Sequence, residues 1–112
     1  MTVTDLDQLR RSYRAAFLHC LTATDERALL TGYDIGRAAV ASRLSLLDVA
    51  QTHHQLLIEV LRTTAPDELE QIAQSASDFL VEVLAAFDMA QQVHQVRPAP
   101  AHGASPPARR DQ

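Results

Sequence analysis

Ser45-Leu-Leu-Asp-Val-Ala-Gln-Thr-His-His-Gln-Leu-Leu-Ile-Glu-Val-Leu-Arg62 decides the fold. It opens with a hydroxyl three residues before a carboxylate, the arrangement of a capping box, so a helix starts at Ser45 and runs to about Thr63. Leu47, Ala50, His54, Leu57 and Leu61 recur at helical spacing, and Leu46, Val49, His53, Leu56 and Val60 form a second row beside them. An apolar band this wide predicts neighbours on more than one side, and with them a partner surface.

Upstream, residues 4–22 read as a first helix, capped by Thr4 with Asp7 three residues on. Its stripe is Leu6, Leu9, Tyr13, Ala16, Phe17 and Cys20, with Arg10, Arg11 and Arg14 off it and solvated. A second helix, capped by Thr22 or Thr24 and opened by Asp25 and Glu26, runs to about Ser42. Gly32, Gly36, Ala38 and Ala39 let another backbone come close, so this helix is expected to make a tight crossing. Downstream, Pro66 suits the first turn of a fourth helix reaching about residue 95. Its apolar face runs from Leu69 through Phe79, Val83 and Phe87 to Ala90, and its outer face is acidic through Asp67, Glu70, Asp78, Glu82 and Asp88.

Short connections between such helices predict an all-α four-helix bundle over residues 4–96 with antiparallel neighbours, and the wide apolar band of the third helix with the Gly/Ala face of the second makes a homodimer the expected state. Residues 97–112 are rich in Pro, Ala and Gly and are expected to be a disordered tail or linker.

Composition narrows the function. The chain has 112 residues and a net charge of −4, enough for one domain. Residues 1–96 carry seven Arg against thirteen Asp and Glu. An acidic body argues against nucleic acid as a partner. All ten basic residues are Arg, which excludes lysine Schiff-base chemistry. Cys20 is the sole cysteine, so a reducing, cytoplasmic setting is expected, with Cys20 as a buried small hydrophobe. The N-terminus lacks the pattern of a secretory signal, and no apolar run is long enough to span a membrane.

His53 and His54 are the conspicuous chemical residues. Adjacent helical residues point roughly 100° apart, so the two cannot share one metal, and Glu-x-x-His is absent. Neither metal nor cofactor is expected. A histidine phosphotransfer domain using His53 or His54 is the competing class, although the residues after His54 lack a basic or small neighbour for a phosphoryl group. Asp34 and Arg37 are expected to form an exposed ion pair. No phosphate loop, catalytic triad or paired catalytic carboxylates can be placed, so the chain reads as a non-enzyme.

Ala28-Leu-Leu-Thr-Gly-Tyr-Asp-Ile-Gly-Arg-Ala-Ala-Val40, Leu44-Ser-Leu-Leu-Asp-Val49, His53-His-Gln-Leu-Leu57 and Phe79-Leu-Val-Glu-Val-Leu-Ala-Ala-Phe-Asp-Met-Ala90 together resemble the N-terminal domain of RsbU-type phosphatases, over about residues 10–92. The resemblance implies a helical dimer that recruits an RsbT-type switch kinase in bacterial stress-response partner switching. It also implies control of a PP2C-like phosphatase domain, which these 112 residues do not include; an excised module and a free-standing relative both fit. Aromatic, Arg and large aliphatic residues anchor interfaces more often than average. On that basis Tyr33, Ile35, Arg37, His53 and Leu56 are expected at the partner or dimer interface, with Tyr33 and Leu56 equally readable as core, and Gly36 from the close-packing face and Leu46, Val49 and Val60 from the wide band are expected with them.

Overall fold

The computed structural model describes residues 4–23 and 25–96, with side chains through Val93. The expected tail or linker at 97–112 lies outside the described residues. Four helices follow one another: α1 (Asp5–Thr22), α2 (Glu26–Ala41), α3 (Leu46–Arg62) and α4 (Leu69–Val96). No strand occurs among the described residues, and the all-α, four-helix reading of the sequence holds.

Local chemistry sets each boundary. Thr4 Oγ1 accepts from the Asp7 amide at 3.0 Å to cap α1. The cap of α2 is neither Thr22 nor Thr24 but Asp25, whose carboxylate accepts from the Ala28 amide at 2.9 Å. There it both satisfies an orphan donor and meets the positive end of the helix dipole. Thr22 instead donates back to the His19 carbonyl at 2.8 Å, inside its own helix. In the capping box of α3, Ser45 Oγ accepts from the Asp48 amide and Asp48 accepts from the Ser45 amide, both at 3.0 Å. A single 3-10 turn, Pro66–Glu68, precedes α4. Proline suits that position because its missing N–H would find no helical partner.

The turn leaving α2 has no glycine. Arg43 sits at φ 62°, while the Arg43 amide bonds the Val40 carbonyl and the Leu44 amide bonds the Ala39 carbonyl. That is a Schellman ending with Arg in the left-handed position that glycine usually fills. Leu44 then folds back against the core. A left-handed side-chain residue costs roughly 1–2 kcal/mol. Arg43→Gly is therefore expected to raise the urea-unfolding free energy by about 0.5–1 kcal/mol, the remainder being offset by glycine's greater freedom in the unfolded chain.

The tightest pairing is between helices that are not sequence neighbours. Gly32 lies against Phe79 and Val83, and Gly36 against Val83, Ala86 and Phe87. Ala41 shares a groove with Ala90 and Val93. Positions rise together, so α2 and α4 run parallel, and α3 is the return helix that makes this possible. Against α1, α4 runs the other way: Cys20 Sγ reaches the Ser75 carbonyl at 4.0 Å, while Tyr13 meets Phe79. Phe79 is where the bundle joins. Its buried ring stands edge-on to Tyr13 at 5.2 Å between centroids, lies 5.8 Å from Phe17, and fills the space left by Gly32.

Candidate docking surface

α3 attaches to the bundle through one face. Val49, Thr52, His53 and Leu56 are buried, and the Thr52 hydroxyl satisfies itself on the Asp48 carbonyl at 2.8 Å. His53 enters the aromatic cluster. Its ring is edge-on to both Tyr13 and Phe17, at 5.8 and 5.2 Å, and its Nδ1 is 2.7 Å from Tyr13 Oη. The phenol donates when the imidazole carries its proton on Nε2. Beside this anchor, Arg14 grips both Glu59 carboxylate oxygens at 3.1 Å. Both bonds come from Nη2, and the pair is half exposed, so it ties α3 to α1 but adds little to stability.

Burial, and secondarily the neighbouring His54, hold the His53 imidazole below its ordinary range, and burial pushes the Tyr13 phenol up. His53 is thus neutral in the folded protein. The unfolded chain, with an ordinary histidine, binds a proton as pH falls through about 6.5. Stability should therefore be full above that pH and fall progressively below it, by up to about 1.4 kcal/mol per pH unit, until the folded imidazole also protonates. Chemical denaturation between pH 7.5 and 5 should show this slope, and His53→Gln should flatten it.

The row of Leu47, Ala50, His54, Leu57 and Leu61 turns away from this anchor, and Leu46, at the start of the helix, is exposed beside it. Leu47 is 63% exposed and Leu46 51%. Ala50 and His54 are exposed, Leu57 and Leu61 half-buried, and Ile58 extends the patch. The band thus packs against α1 and α4 but, among the described residues, leaves Leu46, Leu47 and Ile58 uncovered. A second strip lies on α4, where Val81, Ala85, Met89 and Val93 recur every fourth residue and are all exposed. The outer face expected to be acidic does carry acidic residues, but they flank an apolar i, i+4 ridge. The outward period could have been found by asking which apolar residues of α4 fall off the core stripe.

The expected interface residues divide into two groups. Ile35, Gly36, Val49, His53 and Leu56 are buried inside one subunit, where Gly36 is used in the crossing with α4 and the α3 residues in the anchor to α1. Leu46 and Arg37 are exposed, and Tyr33 and Val60 half-buried. The expected Asp34–Arg37 ion pair does not form; the pairs formed among the described residues are Arg10–Asp7 and Arg14–Glu59. Cys20 is buried, with its thiol directed to the Ser75 carbonyl. Among the described residues no group of three His, Cys, Asp or Glu side chains could hold a metal, and no helix is long and apolar enough to cross a membrane.

These features define a small helical bundle that leaves apolar helix surface uncovered. Residues 11–90 match the family model described as phosphoserine phosphatase RsbU, N-terminal domain, and the chain belongs to that family. The match covers the N-terminal module and not a phosphatase domain. Comparison with curated proteins and with solved structures gave no match.

Proposed function

We propose that the chain is a protein-recruitment and dimerisation module that regulates a partner-switching, sigma-factor or stress signalling pathway in the cytoplasm, without catalytic activity of its own. The carrying observation is the pair of uncovered apolar strips, the outer row of α3 and the i, i+4 ridge of α4, on a chain of the RsbU N-terminal family. Exposed apolar patches of this kind mark interaction surfaces. The ridge on α4 suits a second copy, because four-residue ridges interdigitate with their like. The uncovered surface of α3, with Leu46, Leu47 and Ile58 exposed and Val60 and Leu61 half-buried at its edge, suits a recruited protein such as an RsbT-like switch kinase, and Arg37 and Tyr33 offer polar anchors on α2.

The phosphotransfer alternative is less well supported. His53 is buried among aromatic rings, and exposed His54 has Ala50, Gln51, Leu57 and Ile58 as its helical neighbours, none of them basic.

Light scattering on the purified chain should give twice the chain mass, and Val81→Asp with Met89→Asp should give a monomer of unchanged helicity. Leu46→Asp with Leu47→Asp should weaken binding of an RsbT-type kinase, measured calorimetrically, by about tenfold or more. Both pairs are surface changes expected to alter stability by only about 0.5 kcal/mol per site. A monomeric wild-type chain that binds no such kinase would refute the reading.

A further inference from the structure

A groove of about 340 Å³ lies between α1 and α2, away from both apolar strips. Its floor is apolar, with Leu9, Ile35, Ala39 and Leu44, and its rim carries Asp5 and Asp34. No basic residue lines it. Among the described residues neither rim carboxylate has an ion-pair partner, whereas Asp7 and Glu59 each have an arginine. The groove therefore presents greasy surface flanked by two uncompensated negative charges, and its complement is an apolar segment bearing cations.

The sequence supplies such a segment at the right place. Immediately after Val96 come Arg97-Pro-Ala-Pro-Ala and then Pro106-Pro-Ala-Arg-Arg110, and over 97–112 there are three Arg against one Asp. A second groove, lined by Asp34, Arg37, Ala38 and Ala41 of α2 with Ala90 and Val93 of α4, begins less than one turn before the end of α4. Asp34 and Ala38 line both grooves. Because α2 and α4 are parallel and Gly36 is level with Val83 to Phe87, a chain leaving α4 emerges past Ala41, at the C-terminal end of α2. That is roughly 20 Å along the bundle from Asp34, and the chain has to turn back across α2, about 10 Å wide. Sixteen residues reach roughly 50 Å when extended. Four prolines carry no backbone N–H, so an extended run of them can lie on an apolar helix groove with few donors left unsatisfied.

We propose that residues 97–112 fold back across α2 and occupy the α1–α2 groove, their arginines paired with Asp34 and Asp5. The contact fixes the path by which the chain leaves the bundle, whether it stops at Gln112 or continues. It rests on different observations from the recruitment surface, so either can fail without the other.

The test uses the whole chain with Ala104→Cys carrying a nitroxide; Cys20, fully buried, is left in place, and mass spectrometry checks for a single label. Amide signals of Thr31, Asp34, Ala38 and Ser42 should be selectively broadened relative to those of α3. Asp34→Asn should lower the docked-to-undocked ratio about 1.5- to fivefold, the range of one exposed ion pair. Raising the salt to about 1 M, where the Debye length is about 3 Å, should lower it further. Weak broadening spread evenly over the molecule would overturn the proposal. So would broadening seen only between copies, in a mixture of labelled unenriched chain and unlabelled ¹⁵N chain.

Discussion

Phe79→Ala is expected to cost about 3–5 kcal/mol of unfolding free energy, toward the upper end of what a buried phenylalanine loses. The ring is fully buried and touches Tyr13 and Phe17 of α1 and the Gly32 backbone of α2, so two helices lean on it at once. Two effects add. The ring contacts are worth about 0.5–1.5 kcal/mol each beyond burial, and the space left behind cannot be refilled, because the facing residue is a glycine with no side chain to swing inward. A domain of this size has about 5–15 kcal/mol in all. Urea unfolding followed by circular dichroism should therefore place the variant near its transition without denaturant. Phe79→Leu, which keeps most of the volume, should lose only about 1.5 kcal/mol. The glycine explanation has its own check. Gly32→Ala brings a Cβ to 3.0 Å from the Phe79 ring, a strain that vanishes once the ring is gone, so the double variant should be more stable than the sum of the single effects. Additivity would mean that the two positions do not share one space.

Much of this architecture is legible along the chain because it is written in local chemistry. Thr4, the Ser45–Asp48 box and Pro66 each announce a helix end through a hydrogen bond or a missing donor within three or four residues, and the structure places them as read. The Gly32 and Gly36 pair likewise announces a close crossing. What the glycines do not announce is their partner. That α2 meets α4 in parallel depends on α3 acting as a return helix, and no local signal carries that. The two rows of α3 illustrate the same limit. Periodicity finds both, but which turns inward is decided by a fit that joins residues forty apart, His53 into the ring cluster of Tyr13 and Phe17. Most of the expected docking residues lie on the row whose middle, Val49, His53 and Leu56, is buried against the bundle, while the exposed surface of α3 begins about one residue around the helix. The Arg43 turn is illegible for the opposite reason, since a left-handed turn without glycine leaves no compositional trace.

Gly36 is the position where a single methyl should do the most harm. A Cβ built there would collide with the Val83 carbonyl oxygen and come within 2.9 Å of Ala86 Cβ and 3.0 Å of the Phe87 amide nitrogen. Two of these three neighbours are helix backbone, which cannot rotate away as a side chain can. Relief requires α4 to move bodily from α2, unseating Phe79 and Val83 together. In an unconstrained helix the same change would stabilise by roughly 0.5–1 kcal/mol. Here the overpacking outweighs that gain, and Gly36→Ala is expected to lose about 2–3 kcal/mol. Gly36→Leu should not reach the native fold at all, showing as lost thermal cooperativity. Gly32→Ala is the internal control, because its Cβ would meet a ring edge and not backbone. There the clash and the helix gain nearly cancel, and stability should stay within about 1 kcal/mol of wild type. The ordering also bears on docking, since α4 carries the outer ridge and its position is set by this crossing. If Gly36→Ala matched wild type in denaturation midpoint and amide spectrum, α2 and α4 could not be packed at this register, and the ridge of Val81, Ala85, Met89 and Val93 would have to face elsewhere.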